Sequence, residues 1–144
     1  MKINIQNTEK YIMNVSNLKP ALLNAGGQVM TILLKNWERQ KGGDGSPLKR
    51  LNKNYADYKK KTGRNPIRDA QFTGQLTQSI NVISKGEYSV AITAANTGRS
   101  GSGSTNLQVL EKNVDRDDNL MGVSQEMRKK AFDTIRNEIR RGIA

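Results

Sequence analysis

The sequence predicts an α+β domain: a small antiparallel sheet with a hairpin, packed against a long N-terminal helix and a C-terminal helix, with a Gly/Ser loop expected to be mobile. Three observations predict it. Apolar residues recur at steps of three or four over 18–37 and every four over 127–139, the spacing of helices with one buried face. Alternation at period two appears near residues 2–6 and again over 81–94, the spacing of strands. Between these patterns stand Gly-, Ser- and Pro-rich stretches that only turns and loops accommodate.

Taken in order, Lys2–Gln6 reads as a short strand, and 1–16 as an N-terminal arm whose residues 8–15 could form one or two helical turns. Ser16 or Asn17 is the expected cap of the first long helix, with Pro20 tolerated in its first turn. Leu18, Leu22, Ala25, Val29, Leu33 and Trp37 form its apolar stripe, and it is expected to run to about Gln40. Gly26 and Gly27 either weaken it or let another backbone approach closely. Gly42–Pro47 must turn. Asn52 caps a short helix over 53–61 that Gly63 ends. Thr73 is expected to cap the turn 74–80. Asn81–Ser84 and Tyr88–Ala94 flank Gly86 and read as a hairpin with Tyr88, Val90, Ile92 and Ala94 on one face. Stretches 41–50 and 97–106 read as flexible loops that would order only against neighbouring subunits, and Leu107–Leu110 as a further short strand. Ser124 caps the last helix, where Met127, Ala131, Ile135 and Ile139 form the stripe and Phe132 broadens it.

With 144 residues, 35% apolar and 5% aromatic, one domain with a thin core is expected, and neighbouring subunits would supply part of its stability. No apolar run approaches the roughly 18–20 residues of a membrane span, so no membrane contact is expected, and the polar N-terminus predicts no signal peptide. Cys and His are both absent, which excludes thiolate chemistry, Ser-His-Asp catalysis, haem, iron–sulfur and the usual zinc sites. No cofactor and no enzymatic activity are expected.

Two motifs approach known chemistry and miss it. Gly98–Thr105 has the glycine spacing of a phosphate-binding loop, but Ser104 stands where the phosphate-reaching Lys belongs, and no helix is expected after it. Asp115, Asp117, Asn119 and Glu126 fit positions of a calcium loop, but Leu120 takes the place of the turn glycine, and Glu126 reads as an ordinary helix-start acid. Asp44, Asp57 and Asp69 are scattered among cations rather than paired for acid–base work.

Charge is the strongest compositional signal. The net +11 concentrates in residues 35–68, where eleven basic and three acidic side chains give a local +8. Such a run can track phosphates, meet an acidic protein, or simply keep the surface solvated. Tyr55 and Tyr58, interleaved with Lys53, Lys59, Lys60 and Lys61, could stack on bases, or Tyr55 could pack into the core while the lysines solvate the helix. Arg64 and Arg68 could clamp carboxylates of a neighbouring subunit.

The order of motifs along the chain adds a resemblance. A helix ends on Trp37; Asp44-Gly45-Ser46-Pro47 follows with Leu48 and Leu51; Tyr55 and Lys59 stand four apart. Ile67, Thr73-Gly74, Leu76, Ser79-Ile80 and later Leu120-Met121-Gly122-Val123-Ser124 complete the set. In this order the chain resembles the phage virion morphogenesis, or tail completion, family, departing from it at Leu48, where the family has Trp, and at 95–110. The resemblance implies a structural protein similar to head–tail connectors and tail terminators. It would form a homo-oligomeric ring, of six or twelve subunits, in the neck or at the end of the tail tube. It would reside in the virion, and in the host cytoplasm during assembly. Implied partners are other neck, connector or tail-tube proteins, with non-specific contact to DNA in the lumen. Trp37, Asp44, Gly45, Pro47, Tyr55, Thr73, Gly74, Leu76, Ser79 and Gly122 would be its structural motif residues. Lys59, Lys60, Lys61, Arg64 and Arg68 are expected to line one basic assembly surface. The competing expectation is a nucleic-acid-binding protein that acts through the basic stretch 49–68.

Overall fold

A computed structural model describes residues 2–4, 18–64, 75–98, 103–116 and 118–143. The fold is α+β. In chain order the elements are β1 (Lys2–Asn4), α1 (Lys19–Glu38), α2 (Lys53–Lys61), α3 (Gln75–Ser79), β2 (Ile80–Ser84), β3 (Ser89–Ala94), α4 (Asn106–Arg116) and α5 (Gln125–Ile143).

The α1 stripe folds as its spacing dictates. Leu18, Leu22, Ala25, Val29, Leu33 and Trp37 are all buried, the last two completely. No side chain caps the helix: Leu18 holds the N-cap place, its carbonyl accepts from the Leu22 amide at 3.0 Å, and Pro20 sits in the first turn. The expected caps, Ser16 and Asn17, lie outside the described residues. The helix stops at Glu38, two residues before the expected end, because Gln40 takes the left-handed conformation at φ 58°. The Gln40 amide then donates to Trp37 O and the Lys41 amide to Asn36 O, both at 2.9 Å, closing the last turn as a Schellman motif.

Three strands form an antiparallel sheet in the order β1-β3-β2. Ile80 stands opposite Ala94 and Ser84 opposite Val90, while Lys2 pairs with Ala91 and Asn4 with Ser89. The hairpin turn contains Gly86 at φ 98°, a conformation that favours glycine. Val90, Ile92 and Ala94 are buried as the alternation predicts, and Ala91 is buried too, because β3 is the central strand. The α1 helix lies between this sheet and α5, packing chiefly on α5. It reaches β2 at Gly26, where a Cβ would stand 2.5 Å from Val82 Cγ1; no atom lies near the equivalent point on Gly27.

Ser124 caps α5 as expected, its Oγ accepting from the Met127 amide at 3.1 Å. Met127, Ala131 and Ile135 are buried and Ile139 packs at the edge of the core. Phe132 does not broaden the stripe. It is 58% exposed and lies beneath the Arg136 guanidinium, 4.7 Å from its ring centre.

Residues 107–110 correct the sequence reading more sharply. They belong to helix α4, not to a strand. The Thr105 amide donates to Gln108 Oε1 at 3.0 Å, and the Gln108 amide donates to Thr105 Oγ1 at 3.2 Å, a reciprocal capping box that starts the helix. The Gly/Ser segment is therefore followed by a helix after all. Its centre, 99–102, lies outside the described residues, but its ends are pinned: Gly98 bridges to Thr105, and the Asn106 amide donates to Thr97 O at 3.0 Å.

Candidate functional site

Two features gather the residues singled out from the sequence. The first is a junction between the turn after α1 and the segment before α5. Gly42–Leu48 folds back on itself, with the Gly42 amide on Ser46 O at 2.8 Å and the Leu48 amide on Gln40 O at 2.9 Å. Asp44 Oδ1 accepts from the Ser46 amide at 2.9 Å and from Ser46 Oγ at 2.6 Å. The Ser46 hydroxyl is the main reason that the Asp44 carboxyl lies below its ordinary pKa of 3.8. Asn119 Nδ2 donates to Ser46 Oγ at 2.6 Å, which joins the two segments.

Backbone and indole complete the joint. Leu120 O accepts from Trp37 Nε1 at 2.9 Å, a buried bond across 83 residues of chain, and also from the Gly43 amide at 3.0 Å. The approach is so close that glycine is demanded on both sides. A Cβ on Gly43 would collide with Gly122 O, one on Gly42 with Asn119 O, and one on Gly122 would stand 2.9 Å from Asp44 Cβ. The stretch 41–50, expected to gain order from neighbouring subunits, thus has partners within its own chain.

Trp37, Asp44, Gly45, Pro47 and Gly122, scattered over 86 positions (37 to 122), therefore belong to one construction. Of the other motif residues, Leu76 is buried in the core, and Ser79 Oγ donates to Leu76 O at 2.7 Å at the end of α3. Thr73 and Gly74 lie outside the described residues.

The second feature is α2 with its flanks. Asn52 Oδ1 accepts from the Tyr55 amide at 2.8 Å, as the sequence predicts for the cap, and Gly63 follows at φ 72°. Lys59 is the surprise. It is only 3% exposed, so it does not line an outward basic surface. A displacement of two residues, just over half a helix turn, explains this: Lys59 lies on the side of α2 opposite Asp57 and Lys61, and that side faces inward. Lys60 and Lys61 are exposed, Arg64 is half-buried with Nη1 donating to Thr62 O at 3.1 Å, and Arg68 lies outside the described residues.

Tyr55 is not a core residue. It is 41% exposed and Tyr58 is 53% exposed, with ring centres 6.5 Å apart and ring planes within 28° of parallel. Among the described residues no group of three or more acidic side chains could hold a metal ion, and no helix is long and apolar enough to cross a membrane. Comparison with known proteins finds no matching family model, no matching curated protein and no matching solved structure.

Proposed function

We propose that the chain is a structural protein of a tailed-phage virion, a ring subunit of the head–tail neck or of the tail-tube end. The observation that supports this reading is the junction of Trp37, Asp44–Pro47 and Leu120–Gly122. Three of the motif pieces on which the family resemblance rests, Trp37, Asp44–Pro47 and Leu120–Gly122, are far apart in sequence, yet they form one hydrogen-bonded joint. A motif spent on such a joint serves architecture rather than chemistry: its carboxylate is engaged by its own turn, and its glycines serve close packing.

In such a subunit the exposed cations of the 49–64 stretch would meet an acidic neighbour or the DNA that passes through the ring. A heterologous, head-to-tail contact closes into a ring when the rotation between subunits divides a full turn. The test is the native mass of the purified protein at low and high salt, with and without short duplex DNA. A closed oligomer of defined number, present without DNA and persisting in salt, is expected. A monomer that binds duplex DNA only at low salt, and never assembles, would sink the proposal.

A further inference from the structure

Helix α5 buries Met127, Ala131 and Ile135 and packs chiefly on α1. Its outer side carries a row that this packing does not use. Arg128, Phe132, Arg136 and Arg140 follow at steps of four with Lys129 beside them, so all five lie within about 120° of arc over about 18 Å of helix. All five are exposed, and Phe132 is the most exposed large apolar side chain among the described residues. None of the four cations pairs with a carboxylate there; the one ion pair of the helix among the described residues joins Arg141 to Glu138. Half-buried Asp133 borders the row and leaves it at +3.

The Arg136 guanidinium lies over the Phe132 ring, 4.7 Å from its centre. That contact engages the charge but none of the guanidinium N–H donors, which have no acceptor among the described residues. Candidate partners answer this row differently. Duplex phosphates would take the cations and leave the Phe132 ring in water. An unpaired base would compete with Arg136 for the ring. A second copy of this chain offers few acids, since it carries +11 and its acidic stretch 111–119 sums to only −2. A protein surface with carboxylates around an apolar pocket meets both needs at once. Aromatic and Arg side chains are those enriched in interfaces, and Arg takes a carboxylate through two N–H groups together. We propose that the outer face of α5 is the docking surface for a separate, acidic protein. Phe132 is the anchor that enters its apolar pocket, and Arg128, Lys129, Arg136 and Arg140 pair with the carboxylates around that pocket. The inference stands on α5 alone and does not depend on the assembly reading.

The probes are a random copolymer of glutamate and leucine, poly-glutamate of equal carboxylate number, and a short duplex DNA. Each is titrated into the full chain at about 0.1 M salt and followed by amide nitrogen–proton NMR spectra. The copolymer should shift the amides of residues 128–140 and bind more tightly than poly-glutamate. Phe132→Ala should weaken the copolymer about 5- to 30-fold and leave poly-glutamate unchanged, whereas Phe132→Leu keeps most of the affinity. Arg136→Gln should weaken both acidic polymers. Because Phe132 is exposed, its variants should keep the wild-type circular dichroism. A copolymer bound no better than poly-glutamate overturns the inference, as does wild-type affinity in Phe132→Ala. Shifts confined to residues 49–61 overturn it by placing the acidic polymers on the other basic stretch. A duplex bound at 128–140 more tightly than the copolymer makes the face a phosphate surface and overturns it too. Native mass separates this inference from the assembly reading. Unchanged mass in Phe132→Ala with lost copolymer affinity supports the docking face, whereas a lost oligomer puts a second copy on it and overturns the proposal.

Discussion

The Leu120 carbonyl accepts two hydrogen bonds, from the Trp37 indole and the Gly43 amide, and so uses both of its lone pairs inside the protein. Trp37→Phe keeps most of the buried ring but removes one donor. It should cost about 1–3 kcal/mol, read as a lower urea midpoint at unchanged slope; an unchanged midpoint would mean that the indole N–H contributes nothing. Asp44 makes a pH-dependent contribution of definite sign. Its carboxyl titrates below the ordinary 3.8 because the ionised form accepts from Ser46. The ionised form therefore favours the folded state above pH 3.8, and this contribution fades as the pH falls through the lowered value. Asp44 is exposed, so the effect is small. The stability gap between wild type and Asp44→Asn should be present at neutral pH and shrink below pH 3.8, as compared by urea midpoints across the acid range. A gap independent of pH would remove the carboxylate charge from the account.

At the scale of elements, the adjacent glycines of α1 make opposite predictions. Gly27→Ala meets no atom within 4 Å and should stabilise the helix by about 1 kcal/mol. Gly26→Ala drives a methyl against Val82, forces β2 to shift, and should lower the melting temperature instead. The long helices and the hairpin were legible because burial sets their period, and the period is written into the residues. Helix α4 was not legible by that route. Leu107, Val109 and Leu110 suggest a strand by composition, but Thr105 and Gln108, three apart, are a capping-box signature that outweighs it. Thr105→Ala should cost about 0.5–2 kcal/mol if that box sets the helix start. The basic helix was half legible. Its cap and end follow from Asn52 and Gly63, but a count of charges cannot tell that Lys59 is buried while Tyr55, four residues before it, keeps 41% of its surface exposed. Orientation of a polar helix depends on tertiary contacts that its own sequence encodes weakly.

For the whole molecule the dominant quantity is charge. Each subunit carries +11, so bringing copies together sets like charge against like unless an acidic patch or a polyanion lies between them. Two kinds of self-association then differ in their response to salt. If apolar and hydrogen-bonded surfaces make the contact, screening removes only the repulsion, because the Debye length shrinks from about 30 Å at 0.01 M to about 10 Å at 0.1 M. The oligomeric fraction should then rise with salt, and rise at low salt when a polyanion is added. If instead the basic 49–64 stretch docks on the acidic Glu111–Asp118 stretch of a neighbour, salt should dissolve the oligomer. The first behaviour is expected, because 111–119 sums to only −2 against a basic stretch several charges stronger. Sedimentation velocity over a salt series decides it, with Lys60→Glu/Lys61→Glu as the companion variant. That double reversal lowers the net charge by four, to +7, and should therefore promote the apolar mode at low salt but abolish the ionic one.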